Sequence, residues 1–160
     1  MRWIWIDKFV VFESGRRAVA VKNLTLAEEH LHDHFPGYPI MPASLMIEGM
    51  AQTAGILVGE ARDFKEKVIL AKIPKACFDG LARPGDQLTY EATIERIDDR
   101  GAATSGKVYR NGQPFGQVDI FFSHIDKNMR GLNFPEENFV FTEDFKQLLK
   151  TYQSDLTAEH

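Results

Sequence analysis

The chain has 160 residues, 44% hydrophobic and 26% charged, with a formal net charge of −4. That length and balance suit one soluble domain with its own core, and an acidic chain without a basic cluster argues against nucleic acid as a partner. No apolar run approaches the roughly 20 residues needed to span a bilayer, charge at Asp7 and Lys8 interrupts the N-terminus too early for a signal peptide, and Cys77 has no second cysteine to pair with. The expectation is a cytoplasmic protein.

Trp3 to Phe12 is rich in aromatic and β-branched residues and reads as a strand. The turn Glu13-Ser14-Gly15-Arg16 then leads to a hairpin partner from Arg17 to Leu24. Thr25 to Asp33 is polar and reads as a loop or a single helical turn. Three prolines stiffen His34-Phe35-Pro36-Gly37-Tyr38-Pro39-Ile40-Met41-Pro42, which excludes helix or central strand there. From about Pro42 to Arg62 the sequence predicts the one long helix, apolar almost all round between Leu45 and Val58 as a helix buried in a core would be.

The pattern then turns to strands at Val68 to Phe78, Gln87 to Ile97, Ala102 to Arg110 and Gln113 to Ile125. Arg83-Pro84-Gly85-Asp86, Asp98-Asp99-Arg100-Gly101 and Asn111-Gly112 separate them, the last a strong hairpin signal. A hairpin, a buried helix and an antiparallel meander indicate an α+β fold occupying residues 1–125. Residues 126–160 read as an extension rather than a second domain. Within it Thr142 is placed to N-cap a short amphipathic helix carrying Phe145, Leu148, Leu149 and Tyr152.

Two polar residues stand out from this frame. His34 lies in the stiffened loop, and an imidazole exchanges protons near neutrality. Glu48 lies in the apolar helix, where burial would favour the protonated acid. The helix start at Pro42-Ala43-Ser44 offers unsatisfied backbone N–H groups and the positive end of the helix dipole, which suit an oxyanion. Base, acid and oxyanion donors together can remove a proton α to a carbonyl and expel a β-hydroxyl. A structural reading competes: His34 as an ordinary loop residue, and Glu48 with Gln52 as the exposed edge of the helix. His30-Leu31-His32-Asp33-His34 also invites a metal reading, but His124 is the one further histidine in the folded region and no Cys or His cluster accompanies it. Neither metal nor cofactor is expected.

The motif His34-Phe-Pro-Gly-x-Pro-x-Met-Pro42 followed by Leu45-x-x-Glu48-x-Met-Ala-Gln52 resembles the signature of the FabZ-type 3-hydroxyacyl-(acyl-carrier-protein) dehydratases. The resemblance extends through Ala18-Val19-Ala20-Val21-Lys22-Asn23 and Pro84-Gly85-Asp86-Gln87-Leu88, roughly residues 5 to 125. It implies a hot-dog fold, an antiparallel sheet wrapped around the long helix. It also implies a homo-oligomer, a dimer or trimer of dimers, with each site at the dimer interface. By the resemblance His34 takes the α-proton of a 3-hydroxyacyl thioester, carried on acyl-carrier protein or CoA. Glu48 of the partner helps release the hydroxyl as water. The Ala43 N–H holds the thioester oxygen, and Gly37 and Gln52 complete the substrate-binding set. Three departures accompany it: Ala43-Ser44 where the family usually has Gly-Val, Phe78-Asp79-Gly80-Leu81 in place of a basic stretch, and the tail after Asp126. Lys72, Lys75 and Arg83 remain as candidates for meeting an acidic carrier. The rivals are a hot-dog thioesterase and a silent acyl-binding subunit.

Overall fold

The computed structural model describes residues 3–125, 140–143 and 146–147. Six strands form one sheet: β1 (Lys8–Glu13), β2 (Arg17–Asn23), β3 (Val68–Phe78), β4 (Gln87–Asp98), β5 (Gly101–Arg110) and β6 (Gln113–His124). Their order is β1-β2-β4-β5-β6-β3, and every neighbouring pair is antiparallel. A single helical turn, α1 (His30–Asp33), precedes the long helix α2 (Ala43–Glu60). The sheet packs on α2, which is the hot-dog arrangement and the α+β class that the sequence implied. Asn111 and Gly112 both adopt positive φ, 52° and 78°, as the tight turn between β5 and β6 requires.

The strand expected from Trp3 begins later, at Lys8. Trp3 and Trp5 before it are held by α2, the Trp5 N–H donating to the Gln52 side-chain oxygen at 2.8 Å, while the Asp7 N–H still reaches the Val21 carbonyl of β2 at 2.7 Å. The long helix is shorter than expected by a residue or two at each end, because Pro42 caps it from outside with φ −58° and ψ 137°. Residues 53–59 of α2 are all buried, whereas Ala43 and Ser44 at its start are exposed. The amphipathic helix expected after Thr142 falls largely outside the described residues; within them, the Lys146 N–H donates to the Thr142 carbonyl at 3.0 Å.

The core explains the glycine at position 49. Tyr90 on β4 is fully buried, and a Cβ added at Gly49 would meet its ring at 2.6 Å and its hydroxyl at 2.7 Å. The helix approaches the sheet this closely only without a side chain there. The Tyr90 hydroxyl has no hydrogen-bond partner among the described residues, and burial pushes its pKa upward. An unsatisfied buried hydroxyl destabilises the fold by about 1–3 kcal/mol. Gly49→Ala is therefore expected to lower stability by about 1–3 kcal/mol through overpacking. Tyr90→Phe should be neutral or stabilising, and in its background Gly49→Ala should cost less. Urea unfolding midpoints of the two single variants and the double variant check all three outcomes.

Candidate active site

His34 sits where α1 ends and the proline loop begins, half-buried. Its backbone is tied across the loop, since the Ile40 N–H donates to the His34 carbonyl at 2.9 Å. Its side chain is tied to the same residue, with Nδ1 3.0 Å from the Ile40 carbonyl oxygen. A carbonyl can only accept, so Nδ1 carries the hydrogen and the neutral ring presents Nε2 with a free lone pair. The loop thus fixes both the direction and the tautomer of a potential base. Phe35 and Tyr38 close it by exchanging two backbone hydrogen bonds, 3.1 and 2.9 Å. Between them Gly37 takes φ +74°, a conformation costing other L-residues roughly 1–2 kcal/mol. The His34–Phe35 peptide is cis.

The loop delivers the chain to the start of α2. The Leu45 and Met46 N–H groups donate back to the Pro42 carbonyl at 3.0 and 3.2 Å. No side chain caps the helix and no acidic residue lies in its first turn. The Ala43 and Ser44 N–H groups have no acceptor among the described residues, so the positive end of the helix is open to an anionic oxygen. Ala43 has ordinary helical geometry, so an alanine can occupy this position without strain.

Glu48 is one turn further on. It is half-buried, not buried in an apolar setting as the sequence suggested, because the N-terminal segment supplies polar partners there. The Trp3 indole N–H and the Gln52 side-chain N–H both donate to the same carboxylate oxygen, each at 3.0 Å. Gln52 also donates to the Trp3 carbonyl at 3.1 Å while accepting from the Trp5 N–H. One glutamine side chain therefore fastens residues 3–5 to the helix and holds the acid in place. Glu48 and Gln52 line a cleft of about 310 Å³ whose other walls include Ala51, Gly55, Val68 and Phe122. His34 does not line it. Within one chain His34 and Glu48 are presented separately.

A larger cleft of about 580 Å³ lies on the other side of Trp3, between Trp5, Leu45 and α1. Glu28, Glu29 and Asp33 on its wall make it a poor place for an acyl chain. The metal reading of residues 30–34 finds no assembled ligand set: among the described residues no group of three or more His, Cys, Asp or Glu side chains is arranged to hold an ion. His30 packs edge-on against Trp5 at 5.0 Å, and His32 Nε2 lies 2.7 Å from the Leu26 carbonyl oxygen.

A scan against family models matches residues 3–113 to the FabA-like domain. The chain belongs to the FabA-like family. A 3-hydroxyacyl-(acyl-carrier-protein) dehydratase FabZ of Caldanaerobacter subterraneus is 43% identical over 96 residues, covering 59% of this chain and 68% of that protein. The FabZ of Listeria welshimeri is 39% identical over 127 residues, covering 78% and 87%. Among solved structures, the dehydratase heterocomplex ApeI:P from Xenorhabdus doucetiae superposes with a TM-score of 0.65 at 14% identity, covering 78% of this chain and 84% of that one. The last shares the hot-dog fold.

Sequence reasoning missed two supports of this FabA-like site. Trp3 is one, because nothing in a lone N-terminal tryptophan signals a bond to a residue 45 positions away. The other is the Lys22–Glu28 ion pair, 2.5 Å long with Lys22 buried. Glu28 also accepts from the Thr25 N–H at 3.1 Å, so β2 braces the turn that carries α1 and His34. The Thr25-x-x-Glu28 spacing of a capping box was the available signal.

His30 beside this brace gives a pH test. Burial holds its pKa below the ordinary histidine value of 6.5, with Lys22 and His34 adding to the effect and Glu28 opposing it. The unfolded chain then binds a proton more readily than the folded one. Stability from this residue is complete above pH 6.5 and is lost as pH falls through that value towards the folded-state pKa. Melting temperature should drop between about pH 7.5 and about pH 5.5, and His30→Phe, which keeps the contact with Trp5, should drop less over the same interval.

Proposed function

We propose that this chain dehydrates 3-hydroxyacyl thioesters to trans-2-enoyl thioesters, the reaction named for its FabZ relatives, using His34 as base and Glu48 of a second subunit as acid. The protein is a dehydratase of fatty-acid synthesis by its family. The observation that carries the residue roles is the hydrogen bond from His34 Nδ1 to the Ile40 carbonyl, which leaves Nε2 free to take a proton. In the reaction, Nε2 removes the α-proton of the thioester. Charge builds on the thioester oxygen, where the Ala43 N–H at the open helix start stabilises it. Electrons then flow back to form the α,β double bond as the β-hydroxyl leaves with a proton from Glu48. The product is water, and the imidazolium proton returns to the carboxylate to reset the site.

Completion of the site by a second copy is supported by two features of the single chain. His34 stands outside the cleft that holds Glu48. The β3 strand forms one edge of the sheet and is exposed from Leu70 to Cys77, with Leu70 and Ile73 bare at 40% and 38%. Although Lys72, Pro74 and Lys75 moderate it, this edge has no neighbouring strand among the described residues and presents Leu70 and Ile73 to a partner. A dimer built on β3 would set the loop of each chain beside the helix of the other. Cargo on acyl-carrier protein is the reading that the relatives support. Lys72 and Lys75 lie exposed on the same strand, Lys75 donating to the Gln117 side-chain oxygen at 2.7 Å, and Arg83 is engaged with Tyr38, lying 4.6 Å over its ring and donating to its hydroxyl. The thioesterase alternative would need no histidine with a freed Nε2, and nothing favours a silent subunit.

His34→Ala and Glu48→Gln are each expected to lower enoyl formation from 3-hydroxybutyryl thioester by about 10²–10⁴-fold. Mixing the two inactive proteins should restore activity, because mixed dimers hold one intact site. Enoyl absorbance followed together with free thiol checks this; thiol release without enoyl would favour hydrolysis, and no rescue despite subunit exchange would refute the shared site.

Ala43→Pro tests the oxyanion donor. Pro42 already has the extended ψ that a following proline demands, and a proline in the first helical turn forfeits no helical hydrogen bond. Thermal stability should change little while kcat falls by about 10²–10³-fold, and an unchanged kcat would remove Ala43 from the mechanism.

A further inference from the structure

The cleft beside Glu48 is walled in part by residues of the C-terminal extension. From Glu48 it runs along α2 past Ala51 and Gly55, between the helix and Leu70 and Phe122 of the sheet. Its walls also include Val140 and Phe141, which lie beyond the sheet and beyond the residues that match the FabA-like domain. Phe141 is 5% exposed and packs edge-on against Phe64 at 5.0 Å. A Cβ added at Gly59 would lie 2.7 Å from its ring, so the ring rests on the helix backbone itself. Gly59 is eleven residues beyond Glu48, about 16 Å along the helix at 1.5 Å per residue. The Gly59 backbone on which the ring rests is therefore about three turns from Glu48, and the ring forms part of the cleft wall. At about 310 Å³ the cleft is at the small end of the range for small-molecule sites, roughly 300–1,000 Å³.

We infer that Phe141, supplied by the C-terminal extension, is the stop that sets the longest acyl chain this enzyme accepts. The inference rests on the dehydratase reading for the identity of the cargo. A chain whose thioester sits at the helix start and whose tail follows the apolar wall meets the Phe141 ring. Short and medium chains end before it, and long ones must displace it or leave their last methylenes in water. Specificity for length would then depend on a residue outside the shared domain, and relatives lacking this segment would differ in length preference while keeping the same catalytic residues.

The test compares full-length wild type with Phe141→Ala, Phe141→Leu and Phe141→Trp on 3-hydroxybutyryl, 3-hydroxyoctanoyl and 3-hydroxyhexadecanoyl thioesters. Wild-type kcat/KM should collapse between the octanoyl and hexadecanoyl substrates. Phe141→Ala should raise the hexadecanoyl-to-butyryl ratio by about tenfold or more, with butyryl turnover within about twofold of wild type. Phe141→Leu should give a smaller rise, and Phe141→Trp should depress hexadecanoyl turnover further while sparing butyryl and octanoyl. Should the alanine variant fail to fold, the leucine and tryptophan variants carry the same contrast. A uniform loss at all lengths, or an unchanged length profile, overturns the inference while leaving the dehydratase reading intact. Binding of saturated octanoyl- and hexadecanoyl-CoA, read from the fluorescence of Trp3 in the cleft wall, separates the two claims. If wild type turns over no hydroxyacyl substrate but Phe141→Ala binds hexadecanoyl-CoA more tightly, the stop is upheld and the dehydratase reading falls; equal binding by both proteins overturns the stop as well.

Discussion

The structure depends on an asymmetry in how one helix is buried. From Thr53 to Gly59 the sheet and its attachments cover α2 completely, which is why that half carries glycine, alanine and aliphatic residues almost without interruption. Its first two residues, Ala43 and Ser44, are left exposed. A helix start leaves four N–H groups unsatisfied, and water or a bound anion must take them if no side chain does. Burial at one end anchors the helix, and exposure at the other leaves its polar groups available. Neither end alone would make a site: a fully covered helix would offer no donors, and a fully exposed one would not hold them still.

Between these two ends, Gln52 joins the backbone of residues 3–5 to the carboxylate of Glu48. An amide has both donors and an acceptor, so it can satisfy a backbone N–H, a backbone C=O and a carboxylate oxygen together. A glutamate there could not donate, and a lysine could not accept. The Trp3 indole adds a second N–H to the same carboxylate oxygen. The Glu48 carboxylate is thus oriented by segments that come from opposite sides of the proline loop, while the His34 ring is held by Ile40 within it.

Much of this was legible in the sequence because it is local. The buried helix shows in its unbroken apolar run, the β5–β6 turn in Asn111-Gly112, and the strands from Val68 onward in their turn residues. The histidine and glutamate are marked by the loop chemistry around them and by a long motif. What stayed hidden was long-range. Trp3 looked like strand because aromatic residues favour strands, yet its neighbour Trp5 gives its N–H to a side chain on α2. Glu48 looked buried because its sequence neighbours are apolar, and its actual surroundings come from the far end of the chain. The space at Gly49 is meaningful only once Tyr90 is known to fill it.

The departure at Ala43 follows from the same geometry. A glycine is required where φ is positive or where another group would collide with a Cβ. Gly37 meets the first condition and Gly49 the second. Position 43 meets neither, since it is the first helical residue and its side chain points to the surface. The chemistry proposed there needs only the backbone N–H, which every residue but proline carries. The geometry therefore constrains the loop that aims His34 and the side chains that hold Glu48 more than the side chain at the helix start. A change from Gly-Val to Ala-Ser at that point alters the wall presented to a substrate without altering the donor that would hold it.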